Sequence, residues 1–267
     1  MPNVPADDVE QLRATAVAVA RQVGDLVVRM RLEGASQVGT KTSATDVVTA
    51  ADTAAERLAR QLLAQWRPGE PVLGEEEGGA GSPTDGLCWV VDPIDGTVNY
   101  LYGLPWYAVS VAVQRDGQSL AGAVAQPASG RLWSAARGCG ADCDGAAIRV
   151  SGATELKLSL IGTGFSYRPQ RRGKQAAMVA CMLPRIRDLR RAGSAALDLC
   201  SVASGWLDGF IEHGLHRWDW AAGALIAAEA GAVVRLPEGG SDLMLAAVPG
   251  IVDALAELAA ECGADAV

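Results

Sequence analysis

Apolar residues recur at three- and four-residue steps through Val9, Leu12, Ala16, Val19, Val23, Leu26, Val27 and Met30. That spacing predicts a long amphipathic helix, ended by Gly34. A loop is expected over 35–45. A second helix is expected over 50–66, with Thr49 as its N-cap, Asp52 in its first turn and Pro68-Gly69 as its stop. β-like runs follow at 71–73, 87–91, 106–114, 120–126 and 131–136, with Asp116-Gly117 as a hairpin turn. Residues 138–145 are turn-rich, and the Gly-rich stretch 78–86 reads as an exposed loop. Beyond Ser151 the pattern alternates. Strands are expected at 156–162, 207–212, 232–236 and 243–247, and helices at 174–189, 195–204, 218–230 (closed by Gly231) and 250–262. The class is α/β with an α+β first part. Two units are expected, 1–150 and 151–267.

Length and charge narrow the function. The 267 residues are 49% hydrophobic and only 5% aromatic, which implies an aliphatic, Ala-rich core. The formal net charge is −8, from 31 acids and 23 bases. An acidic chain repels a phosphate backbone, so no nucleic-acid partner is expected. The basic run from Arg185 to Arg191, with Arg171, Arg172 and Lys174, reads as a solvated helix face. No apolar stretch approaches the about 20 residues of a membrane span. Met1 to Ala6 lack the basic and apolar regions of a secretion signal. A cytoplasmic location and six reduced cysteines are therefore expected. Cys139 and Cys143 fit two thiols in a Gly-rich turn region better than a metal site, and His213 and His216 have no thiolate or third histidine nearby in sequence to complete a zinc site.

The segment that concentrates chemistry is Trp89-Val90-Val91-Asp92-Pro93-Ile94-Asp95-Gly96-Thr97. An apolar strand ends in two carboxylates three residues apart. Pro93 restricts the backbone, and Gly96 permits a tight turn. Two carboxylates at one point repel unless a cation lies between them, and oxygen-only donors suit Mg²⁺ rather than zinc. Free amides at Gly96 and Thr97 suit a phosphate oxygen. An Asp-rich turn after a strand also occurs without any chemistry. Upstream, Gly74-Glu75-Glu76-Glu77-Gly78 offers one glutamate as a third ligand, or simply a solvated loop. Downstream, Arg217-Trp218-Asp219-Trp220 puts Asp219 at a helix start, where an N-cap aspartate is expected in any case.

Taken together, in this order, the three elements resemble the inositol monophosphatase family, over about Lys41 to Ala247. The resemblance implies a layered αβαβα sandwich and Mg²⁺-dependent hydrolysis of a small polyol phosphate, foremost inositol 1-phosphate. Histidinol phosphate, fructose bisphosphate and nucleotide bisphosphates are the alternatives, with a non-catalytic regulatory binding protein as another. The resemblance also implies two or three Mg²⁺ ions, held by Glu75, Asp92, Asp95, Asp219 and the Ile94 carbonyl. The segment from Lys41 to Asp52 matches one that ends in a catalytic aspartate, so Asp52 with Thr97 would orient the attacking water, with Glu75 beside them. Asp95, Gly96, Thr97, Ala195, Glu212 and Asp219 would contact substrate, and Glu76 would lie outside the metal shell. Lithium sensitivity and a homodimer are implied as well. Ala44 and Glu77 depart from the family pattern.

Overall fold

The structure is a computed structural model that describes residues 6–33, 38–40, 47–79, 86–237 and 242–267. The expected end of the first helix at Gly34, the run from Lys41 to Asp46 and residues 80–85 of the Gly-rich loop lie outside these. Helix α1 (Ala6–Leu32) buries Val9, Leu12, Ala16, Val19, Val23 and Val27 along one stripe. Strand β1 (Val38–Thr40) falls where a loop was expected. It pairs antiparallel with β2 (Val47–Thr49), which leads directly into α2 (Ala50–Trp66).

A seven-stranded sheet follows, in the order β3 (Val72–Gly74), β4 (Leu87–Asp95), β5 (Ala108–Arg115), β6 (Gln118–Gln126), β7 (Arg131–Ala136), β8 (Ala141–Cys143), β9 (Ala146–Ala147). Among the described strands of this sheet, β3 and β4 pair in parallel and the rest antiparallel. Short helix α3 (Thr97–Tyr102) lies between β4 and β5. A five-stranded sheet has the order β11 (Asp188–Arg190), β10 (Leu160–Thr163), β12 (Gly209–His213), β14 (Leu243–Ala247), β13 (Val233–Arg235). Helices α4 (Pro169–Met182), α5 (Ala195–Ala203), α6 (Arg217–Glu229) and α7 (Val252–Glu261) complete the described elements.

The burial pattern explains the layering. Trp89 and Val91 of β4, with Val109, Val111 and Val113 of β5, pack against α1 and α2. Alternate residues Val90, Ala108, Ala112 and Val124 pack against α5 and α6. Both faces of the sheet are covered, so its central strands are apolar throughout rather than alternating. Phe210, Met244 and Ala246 of the second sheet meet α5 from the other side, and Ile211 and Leu245 face α4 and α7. The result is the expected αβαβα sandwich. Close fits hold it together: a Cβ on Gly122 of β6 would lie 3.0 Å from the Ala222 Cα of α6, and one on Gly223 would lie 2.8 Å from the Leu199 Cβ of α5.

Four local expectations are corrected. The helix expected over 174–189 ends at Met182, because Pro184 has no N–H with which to continue the helical ladder. The chain then makes a 3-10 turn (Leu183–Arg185) and pairs as edge strand β11. The strand expected over 156–162 opens with a 3-10 turn (Leu156–Leu158). Arg171, Arg172 and Lys174 do lie on α4, but the run from Arg185 to Arg191 is no helix face: Arg185 pairs with Glu261 and Arg190 with Asp188, while Arg191, with Arg171 of α4, lines a cavity. Finally, Cys181 and Cys262 form a disulfide, because the last turn of α4 and the C-cap of α7 bring their Cα atoms to 5.6 Å. Cys88, Cys139, Cys143 and Cys200 are free thiols.

Candidate active site

In a regular strand, residues three apart point to opposite faces. Asp92 and Asp95 nevertheless line one cavity, because the β4–β5 register shifts between them. Pro93, which has no N–H to give to the ladder, sits in that irregularity. The Ile94 amide donates to Asp92 Oδ1 at 3.0 Å and fixes the turn. Gly96 follows at φ +94°, where a Cβ would lie 3.0 Å from the Gly193 carbonyl oxygen and 3.1 Å from that of Trp106. Only glycine fits this passage, which releases the chain into α3 with Thr97 as its first residue.

The cavity, of about 660 Å³, also takes in Glu75, Ile94, Gly96, Thr97, Ala195, Glu212 and Asp219. Each arrives by its own device. Glu75 rides a turn held by Glu56, a fully buried α2 residue that accepts from the amides of Glu76 (2.6 Å) and Glu77 (3.0 Å) and pairs with Arg60 at 2.7 Å. Asp219 is the third residue of α6 and not its N-cap. The cap is His216, whose amide donates to Asp219 Oδ2 at 2.6 Å. Asp95 lies at the start of α5, where Oδ2 accepts from Ser194 Oγ (2.6 Å) and the Ala196 amide (2.7 Å). The positive end of that helix favours the charge. Glu212 faces Gly164, where a Cβ would fall 2.0 Å from its carboxyl group.

Asp52 lies behind the cavity, fully buried. It is the third residue of α2 in a capping box and accepts from the Thr49 amide (2.7 Å) and the Thr49 hydroxyl (2.5 Å). Its Oδ1 lies 3.0 Å from Thr97 Oγ1, and the Ile94 carbonyl lies 3.1 Å from the same hydroxyl. All residues expected from the sequence are thus brought to one place, with Asp52 joined through Thr97. Sequence reasoning missed Glu56, Ser194 and Asn99. Asn99 Nδ2 donates to the carbonyls of Trp106 (2.7 Å) and Ala192 (2.9 Å) and so ties the loop before α5 to α3. Neither histidine forms a metal pair: His213 Nε2 donates to the Ala264 carbonyl, and His216 stacks on Trp218.

The electrostatics follow from burying acids together. Burial, then the charges of Glu75, Asp95 and Asp219, hold the Asp92 carboxyl well above its usual range. Burial, then Asp95 and Glu75, do the same to Asp219. Burial raises Asp95 to about 6 against the opposing hydrogen bonds of Ser194 and Ala196. Burial and the charge of Asp95 push Glu212 up to about 8, against Arg191. Acids so placed favour either protons or a cation. Their donors are all oxygen, which fits a hard divalent ion. Among the described residues, no three His, Cys, Asp or Glu side chains already form a closed coordination group; the carboxylates line an open cavity instead.

Comparison with known proteins agrees with this geometry. The sequence profile of the inositol monophosphatase family matches residues 8–266. An inositol-1-monophosphatase of Mycobacterium leprae is 51% identical, over 95% of this chain and 94% of the relative. The solved structure of Mycobacterium tuberculosis SuhB superposes with a TM-score of 0.84 at 46% identity, covering 96% of this chain and 98% of that one. A protein named Nus factor SuhB, from Vibrio cholerae, is 36% identical over 86% of each chain. The chain belongs to the inositol monophosphatase family and is a phosphoric monoester hydrolase. Among the described residues no helix is long and apolar enough to cross a membrane.

Proposed function

We propose that this chain is a Mg²⁺-dependent phosphatase of inositol 1-phosphate. The observation that carries the reading is the acid-lined cavity joined to a buried Thr97–Asp52 hydrogen bond of 3.0 Å. Glu75, Asp92, Asp95, Asp219 and the Ile94 carbonyl would hold two or three Mg²⁺ ions. Such ions, when bound, neutralise a phosphate dianion and acidify water.

The chain's own groups do the rest. The amides of Gly96 and Thr97 take phosphate oxygens. Thr97 Oγ1 donates to Asp52 Oδ1, which leaves its lone pairs to accept a proton from the attacking water. As the water oxygen bonds to phosphorus in line, that proton passes to Thr97 and the Thr97 proton to Asp52, while the ester P–O bond breaks and the alkoxide leaves. No side chain is the nucleophile, so no phosphoenzyme forms. Glu212 and Ala195 contact the polyol, with Asp95 and Asp219. On this reading, residues 1–150 supply most metal ligands and residues 151–267 complete the site.

Lithium inhibition, a homodimer and a cytoplasmic location belong to the same reading. Phosphate release from inositol 1-phosphate, fructose 1,6-bisphosphate, histidinol phosphate and 3′-phosphoadenosine 5′-phosphate, with Mg²⁺ and with EDTA, tests it. Preference for another ester would change the substrate and keep the chemistry. A second reading, a regulatory binding protein on the same fold, is favoured by the relative named as a Nus factor; absence of turnover on every ester would bring it forward.

A further inference from the structure

The disulfide lies far from the carboxylates in sequence, yet a short chain of contacts links it to the cavity wall. Cys181 is exposed at the end of α4, and Cys262 is half-buried at the C-cap of α7. Just beyond Cys262, a 3-10 turn (Ala264–Ala266) lies against the rest of the unit. The Ala264 carbonyl accepts from buried His213 Nε2 at 3.1 Å, and the Ala266 carbonyl accepts from Lys174 Nζ of α4 at 2.8 Å. His213 directly follows Glu212 on β12, and α4 begins beside Arg168 and Arg171, both of which line the cavity.

This corner is also incompletely satisfied. Of four buried side-chain polar atoms without a hydrogen-bond partner among the described residues, three belong to it: Arg171 Nε, Gln175 Nε2 and His213 Nδ1. Unpaired buried groups disfavour the observed arrangement, so it depends more heavily on its remaining ties. The Cys181–Cys262 bond is the covalent one, closing a loop with a sequence separation of 81.

We propose that Cys181–Cys262 is a redox modification site, a latch that holds the C-terminal turn against β12 and so sets the position of Glu212. The inference rests on the proposed substrate reading only for its kinetic readout. A dithiol opens the latch in two exchanges. One thiolate attacks a disulfide sulfur and forms a mixed disulfide, releasing the other cysteine, which takes up a proton. The second thiol of the reagent then attacks the reagent sulfur of the mixed disulfide and displaces the remaining protein cysteine, which takes up a proton, leaving two cysteine thiols and an oxidised cyclic disulfide. The exposure of Cys181 gives the attacking thiolate access. Opening frees the Ala264 and Ala266 contacts and loosens the end of β12. Asp92, Asp95, Thr97 and Asp52 sit on or against the other sheet, so the effect falls on polyol binding and not on the bond-breaking step.

The test compares oxidised and dithiothreitol-reduced full-length protein, with Cys181→Ser and Cys262→Ser each in parallel. Denatured, alkylation-free oxidised protein should titrate four thiols, since four of the cysteines are free, and the reduced protein two more. Reduction should raise KM for inositol 1-phosphate on the order of fivefold with kcat little changed, and should speed amide hydrogen exchange in residues 263–267. The serine variants should match the reduced protein and ignore dithiothreitol. Six thiols in the oxidised preparation, or equal KM and equal exchange in both states, would overturn the latch. Absence of hydrolysis in both states would count against the substrate reading alone, because thiol titration and exchange read the latch without it.

Discussion

Asp52→Asn separates the relay from the architecture. Among the described residues Asp52 accepts from the Thr49 amide (2.7 Å), the Thr49 hydroxyl (2.5 Å) and Thr97 Oγ1 (3.0 Å), and it is fully buried. Asparagine is nearly isosteric. Its oxygen can keep both Thr49 donors, which turns its NH₂ toward Thr97. The Thr97 hydroxyl must then accept from residue 52 and give its own hydrogen to the Ile94 carbonyl, 3.1 Å away. These contacts with Thr49 and Thr97 are kept, but the base is gone and the direction of the relay is reversed. Loss of the charged cap should cost roughly 1 kcal/mol of stability. Loss of general-base assistance should lower kcat by roughly 10²–10⁴, equivalent to about 3–5 kcal/mol of barrier. KM for the phosphate ester should move only a few-fold. Phosphate release gives the rate, and urea unfolding gives the stability. A folded variant with kcat close to wild type would refute the Thr97–Asp52 route.

Three further outcomes are expected. Glu56→Gln removes the charge that gathers the Glu76 and Glu77 amides and pairs with Arg60, so the concentration of Mg²⁺ needed for half-maximal activity should rise; an unchanged Mg²⁺ titration would refute the role given to Glu56. In metal-free protein, Glu212 is raised from 4.5 to about 8, chiefly by burial and the charge of Asp95. A raised acid stabilises fully below its unfolded value and loses that contribution as pH climbs through the folded one. The Tm in EDTA should therefore fall between about pH 4.5 and about pH 8, and Glu212→Gln should flatten the fall. Superimposable Tm–pH curves would contradict this. Asp92→Asn should abolish turnover while raising the Tm of the metal-free protein at pH 8, because it removes one of the mutually repelling buried acids; a lowered Tm with retained turnover would contradict both halves.

What was legible in the sequence depended on range. Helix α2 and its cap could be read because Thr49 and Asp52 stand three apart, within one turn. Strand β7 and strand β14 match their apolar runs. Helix α3 was missed because its six residues lie between two left-handed glycines, too short for any periodicity. The helix over 174–189 was overextended because Ile186 and Leu189 keep helical spacing, while tertiary pairing with β10 makes the latter part of a strand. Asp92 and Asp95 could be read as a pair from the Pro and Gly around them. The Asp95–Ala196 bond spans 101 positions and the disulfide 81, and no local pattern announces either. Glu56 looked like any helix glutamate, since what distinguishes it is the turn it receives from another element.

Phosphate release from inositol 1-phosphate, followed with added Mg²⁺ and then with excess EDTA on the same preparation, tests the central claim most directly. The account requires turnover with Mg²⁺, its loss on chelation and its return when Mg²⁺ is restored. Turnover that survives chelation, or none with Mg²⁺ on protein shown to be folded, would contradict it.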